Sequence, residues 1–104
     1  SLSRRLCALL GSSLGARKAA VGSDAVEHMM SLGHAACLLV ASDAAERVEI
    51  ERRAAERKIP LRVVFDKASL GEILGKRPLA VMALGDRGLA VAVFETLERL
   101  ETLQ

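Results

Sequence analysis

Residues 35–41 read AACLLVA, seven apolar side chains in succession with no polar interruption. A half-buried strand alternates apolar and polar positions, whereas an unbroken apolar run of this length fits a strand covered on both faces. A sheet built around such a strand needs helices on both sides, so the rest of the chain is expected to alternate helix and strand. The pattern agrees. Leu2, Leu6, Leu9 and Leu10 recur at helical spacing until Gly11 and Gly15, giving a short amphipathic first helix, and residues 18–21 follow as a brief strand.

Gly22 and Ser23 mark a turn, and Asp24 with Glu27 has the spacing of a capping box for a helix that stops at Gly33. After the apolar run, Asp43 and Glu46 make a second box, opening a helix over residues 43–58 with Ala44, Ala45, Val48, Ala55 and Ile59 inward and Glu49 facing Arg52 and Arg53 outward. Pro60 closes it. Residues 61–65 are expected to be a buried strand, 67–74 a short helix ending at Gly75, and 79–84 a further apolar strand. Asp86 caps a last helix with Leu89, Val93, Leu97 and Leu100 along one side.

With 104 residues and 51% apolar content, the chain suits one domain with one ordinary core. Its start at Ser1 rather than Met fits a domain excised from a longer polypeptide. Only 2% of the residues are aromatic, without Trp or Tyr, so the core must be aliphatic. The same scarcity removes the stacking platforms on which RRM and OB-type domains hold single-stranded bases. The net charge of +2 decides nothing alone, but ahead of Asp24 the chain carries Arg4, Arg5, Arg17 and Lys18 and no acid. An anionic partner is therefore expected at the end bearing Arg17 and Lys18, whereas the Arg52, Arg53, Arg57 and Lys58 group, balanced by Glu46, Glu49, Glu51 and Glu56, reads as a solvated face.

No catalytic signature is present. GSSLGARK over residues 11–18 is glycine-rich but lacks the Gly-Lys-Ser/Thr ending of a phosphate loop and precedes a strand instead of following one. Cys7 and Cys37 lie in apolar segments expected to bury them, with no CxxC spacing and no clustered His. Neither an enzyme, a cofactor nor a metal site is expected. The apolar run is far shorter than a bilayer span and no leader pattern precedes it, so a cytoplasmic protein without membrane partners is expected.

The strings Gly22-Ser23-Asp24-Ala25-Val26, Leu32-Gly33, Cys37-Leu38-Leu39-Val40-Ala41-Ser42-Asp43, Lys58-Ile59-Pro60-Leu61, Ser69-Leu70-Gly71 and Lys76-Arg77-Pro78-Leu79-Ala80-Val81 carry a resemblance over most of the chain, roughly residue 18 onward. In this order they resemble the kink-turn RNA-binding ribosomal proteins of the L-seven-Ae and L-thirty-e superfamily, in particular its bacterial YlxQ-like branch. The resemblance implies a three-layer α/β/α sandwich around a central mixed four-stranded sheet, and a non-catalytic, ribosomal-protein-like partner of structured RNA in a ribonucleoprotein. Family members grip RNA with a Gly-(Thr/Ser)-Asn-Glu-x-x-Lys turn and helix start, and with a loop before the last strand that covers a flipped-out nucleotide. The Gly and Thr/Ser fall on Gly22 and Ser23, but the Asn falls on Asp24, the Glu on Ala25 and the Lys on His28. In the covering loop, Lys76 and Arg77 stand for phosphate contacts and Pro78, Leu79 and Ala80 for the apolar lid, with Lys18 as a further basic contact.

The residues support part of this independently. N–H groups at a helix start carry partial positive charge and can receive a phosphate or a base-edge acceptor. Gly22 and Ser23 serve equally as a plain turn and cap. Asp24 suits an N-cap, or a guanine acceptor that also repels phosphate, while Ala25 reads no base edge. His28 also reads as an ordinary exposed helix residue. Loss of the three polar readers favours a competing possibility, a protein-interaction module on the same scaffold; a small-molecule domain has only the fold class behind it. The RNA reading requires the Gly22 corner and the loop at Lys76 to Ala80 to adjoin in one grip.

Overall fold

The computed structural model describes residues 2–16 and 18–102. In chain order they form α1 (Leu2–Gly15), β1 (Ala19–Val21), α2 (Ser23–Ser31), β2 (Cys37–Ala41), α3 (Arg47–Glu56), β3 (Leu61–Val64), α4 (Lys67–Ile73), β4 (Val81–Leu84) and α5 (Arg87–Thr102). The strands make one sheet in the order β1-β4-β2-β3; β4 runs antiparallel to both neighbours and β2 runs parallel to β3.

The apolar run is the central strand β2, buried at every position. Its pleat sorts identical-looking side chains between two cores. Cys37 and Leu39 join Met82 and Leu84 of β4 beneath α1, α4 and α5, with Leu6, Leu10, Leu70, Val93 and Leu97. Leu38 and Val40 join Val81 and Ala83 beneath α2 and α3, with Val26, Met30 and Ala54. That is the expected three-layer α/β/α sandwich with its mixed four-stranded sheet.

Several expectations are corrected. Gly11 does not end the first helix: α1 continues to Gly15, because Leu6, Leu10 and Ser13 are buried on one stripe and the Ser13 hydroxyl donates to the Leu10 carbonyl at 2.6 Å. Burial of those side chains outweighs the roughly 1 kcal/mol that an interior glycine costs. Cys7 is exposed on the outer side of α1, whereas Cys37 is buried as expected. Residues 61–65 do not form a buried strand; β3 is an edge, half-covered, with Val63 39% exposed and the Arg62 guanidinium 5.4 Å from the centroid of the Phe94 ring. The last strand begins at Val81, two residues later than expected.

The Asp43 and Glu46 box does not form either. α3 starts only at Arg47 with no side-chain cap; Ala44 and Ile59 face inward as expected, but within the helix Ala54 is buried, while Val48 is 78% exposed and Ala45 and Ala55 lie outside. Asp43 instead serves another element, its Oδ1 accepting the Lys67 N–H at the start of α4 at 2.8 Å.

Helices α2, α3 and α4 end alike. In each, a residue with positive φ (Gly33, Lys58, Gly75) follows the C-cap, and paired N–H groups close back onto the last turn.

Candidate nucleic-acid interface

The strand-to-helix corner after β1 is built by Gly22. Its φ of 89° and ψ of 157° belong to a region that side chains beyond hydrogen scarcely enter. That conformation lets its N–H donate to the Val81 carbonyl at 3.0 Å, as the last rung of the ladder, while its own carbonyl accepts Val26 N–H at 3.0 Å, as the first bond of α2. The helix therefore begins at Ser23, earlier than the capping-box reading, and Asp24 sits inside its first turn without capping it. Glu27 is engaged elsewhere, accepting from Arg53 at 3.0 Å and pairing with Arg57 at 3.6 Å. The N–H groups of Ser23, Asp24 and Ala25 consequently have no acceptor among the described residues. Ser23, Asp24, Ala25 and His28 are all exposed along α2.

The chain entering β4 meets this corner. Val21 pairs with Met82 and Gly22 bonds Val81, so the corner and the chain entering β4 adjoin at one end of the sheet. Lys76, Arg77 and Pro78 are exposed. Neither Lys76 nor Arg77 is in an ion pair among the described residues. Leu79 differs from expectation: it is only 9% exposed, belongs to the core under α4 and α5, and its N–H donates to the Lys67 carbonyl at 3.0 Å. A side chain withdrawn in this way cannot cover a nucleotide, so the apolar surface offered is that of Pro78 and the half-buried Ala80.

Lys18 does not belong to this end. It precedes β1, which places it roughly 13 Å from Gly22 at about 3.3 Å per residue. There its Nζ pairs with Asp86 Oδ2 at 3.0 Å, and its carbonyl accepts Gly85 N–H. Arg17 lies outside the described residues. The basic group on α3 is a solvated face as expected: Arg52 pairs with Glu49 and Glu56, Arg53 with Glu49 and Glu27, and Arg47 with Glu51. Hydrogen bonding and proximity to Arg52 and Arg53 hold the Glu49 carboxyl below the usual carboxylate range.

A cleft of about 230 Å³ between α2 and α3 opens beside the corner, with Ser23 and Val81 at one end and Glu27, Glu46 and Glu49 on its walls. Arg53 lines it too and pairs with Glu27 and Glu49, so the cleft carries both signs of charge, whereas Lys76 and Arg77 are cations without a paired carboxylate among the described residues. Sequence reading took Asp43 as a helix cap and Gly71 only as the end of the Ser69-Leu70-Gly71 string; in the structure Gly71 lies against the Arg77 and Pro78 backbone and Asp43 accepts the Lys67 N–H. No group of three or more His, Cys, Asp or Glu among the described residues could hold a metal ion, and no described helix is long and apolar enough to cross a membrane.

No family model and no curated protein sequence matches the chain. Solved structures do. A Bacillus halodurans protein of unknown function superimposes with a TM-score of 0.82 at 23% identity, over 89% of this chain and 96% of that one. The Giardia lamblia 15.5kD RNA binding protein superimposes with a TM-score of 0.71 at 22% identity, over 99% of this chain and 90% of that one. The chain shares their fold across essentially its whole length.

Proposed function

We propose that this chain is a non-catalytic RNA-binding domain that takes structured, kink-turn-like RNA between the Gly22 corner and the Lys76 to Ala80 loop. The observation that carries the reading is the Gly22 to Val81 hydrogen bond, which joins the corner with its three open helix N–H groups to the strand that the Lys76 to Ala80 loop enters; no described carboxylate pairs with Lys76 or Arg77. The N–H groups suit a phosphate or base-edge acceptor, Lys76 and Arg77 suit flanking phosphates, and Pro78 with Ala80 gives a small apolar shelf. The RNA-binding name of the Giardia neighbour supports the same ligand class.

Specificity is expected to differ from that of a protein carrying the Asn, Glu and Lys readers. Asp24 accepts but does not donate, Ala25 does neither, and each missing bidentate contact costs roughly 1–3 kcal/mol of discrimination. Titration of a kink-turn RNA and an unkinked duplex at two salt concentrations tests the proposal. Binding of the kinked RNA should be tighter and should weaken with salt along a gentle slope; equal, negligible binding of both rejects it.

The α2–α3 cleft beside the corner, with Val26, Met30 and Ile50 in its lining, together with the buried Leu79, favours one second reading, a protein-interaction module. A stoichiometric protein partner recovered with a preparation free of nucleic acid would support it.

A further inference from the structure

Resting on the RNA-binding reading of the loop, we propose that Gly71 and Asp43 are positioning residues, which touch no RNA but fix the backbone shape in which the 76–79 loop meets it. A Cβ built on Gly71 would stand 2.2 Å from the Arg77 carbonyl oxygen, 2.7 Å from its carbon and 3.0 Å from Pro78 Cα. These are backbone atoms of the segment that presents the cation and the shelf. The loop is thus seated directly on the bare α-carbon of α4.

Its other attachments are backbone bonds to the same short helix. Lys76 N–H donates to the Gly71 carbonyl at 2.8 Å, and Leu79 N–H donates to the Lys67 carbonyl at 3.0 Å. The helix is held in turn: Asp66 Oδ1 accepts Ser69 N–H at 2.8 Å, Leu70 is fully buried, and Asp43 Oδ1 accepts Lys67 N–H at 2.8 Å. Asp43 follows the end of β2, where Ala41 N–H donates to the Ala80 carbonyl at 2.8 Å. A closed circuit therefore runs from β2 through the Asp43 carboxylate and Lys67 to Leu79 and back to β2 through Ala80. Leu70 anchors α4 in the core, so a methyl group at position 71 must be absorbed by the exposed loop, displacing Arg77 and Pro78. A loop that must be ordered on binding costs affinity that a preformed one keeps.

The two residues give distinguishable tests. Gly71→Ala should accelerate exchange of the Leu79 and Lys76 amide hydrogens and weaken kink-turn RNA binding by about tenfold, with the amides of Leu38 and Ala83 unchanged. Asp43→Ala removes the acceptor along with a negative charge, and should accelerate Leu79 exchange and weaken binding several-fold. Asp43→Asn keeps an acceptor oxygen and should restore both. A merely electrostatic Asp43 would make both substitutions tighten RNA binding equally, and that result overturns the proposal, as does unchanged Leu79 exchange in Gly71→Ala and Asp43→Ala. Should Gly71→Ala fail to fold, the Asp43 pair decides alone. If the wild-type chain binds no RNA while Leu79 exchange still responds, the ligand reading falls and the loop-holding role is supported on its own.

Discussion

The helices that follow β1 and β4 start in opposite ways. At the end where β4 leaves the sheet, Asp86 Oδ1 accepts Leu89 N–H at 2.8 Å and its Oδ2 takes Lys18, so α5 begins with a side-chain cap. At the other end, Gly22 starts α2 with no side-chain acceptor, and the first N–H groups face solvent. The difference shows where a ligand is useful to the fold: an anion at α5 would displace an existing partner, whereas one at α2 would fill a vacancy. The far end does have space, a groove of about 1120 Å³ lined by the C-terminal ends of α2 and α3 and by α5, whose walls carry Arg57, Lys58 and Arg87 beside Glu95 and Glu98.

The sharpest way to break the contrast is charge reversal. Lys76→Glu with Arg77→Glu should lower RNA affinity on the order of a hundredfold and flatten its salt dependence by about two ions. Lys18→Glu, at the other end, should leave affinity within about twofold; equal losses would mean that RNA does not distinguish the ends. Next in size is Gly22→Ala, which forces a side chain into a glycine-only conformation and should cost about 1–3 kcal/mol in urea unfolding, weakening RNA binding as the corner shifts.

Acid offers a third test. The Ser69 amide holds the Asp66 carboxyl below its usual range, and the Leu89 amide, then Lys18, does the same for Asp86. A carboxyl lowered in the fold contributes stability that is complete above its unfolded value, about 4, and is lost as pH falls through the lower folded value. The Ser69 and Leu89 amide resonances should therefore move as pH drops below about 4, reporting the loss of each carboxylate acceptor. The smallest effect is expected at Lys58, a non-glycine residue with φ of 56° at the end of α3. Lys58→Gly relieves that conformation and should raise stability by less than about 1 kcal/mol, the gain in backbone ease being partly offset by unfolded-chain entropy.

The sheet's centre was legible because one-dimensional patterning reports burial on both faces directly, as in residues 37–41. The edge was not: Leu61 to Val64 looks nearly as apolar as β4, and only Arg62, whose guanidinium lies over Phe94, hinted that one side was open. Capping was half legible. Asp86 caps its own helix as read, but Asp24 and Asp43 have the same spacing and do not, since spacing cannot say whether a carboxylate serves its own helix or a backbone brought near by folding. The corner was readable from Gly22, whereas the buried state of Leu79 depends on α4 and α5, which no local string encodes.

The cysteines have a practical consequence. Burial pushes the Cys37 thiol up to about 12, against a small opposing effect of the Leu84 amide, while Cys7 lies open on α1. A maleimide dye at neutral pH should couple at Cys7 and leave Cys37 untouched, because only an accessible thiolate reacts. The chain thus carries one accessible thiol for a fluorescent reporter, outside the Gly22 corner and the 76–80 loop, with no engineered residue.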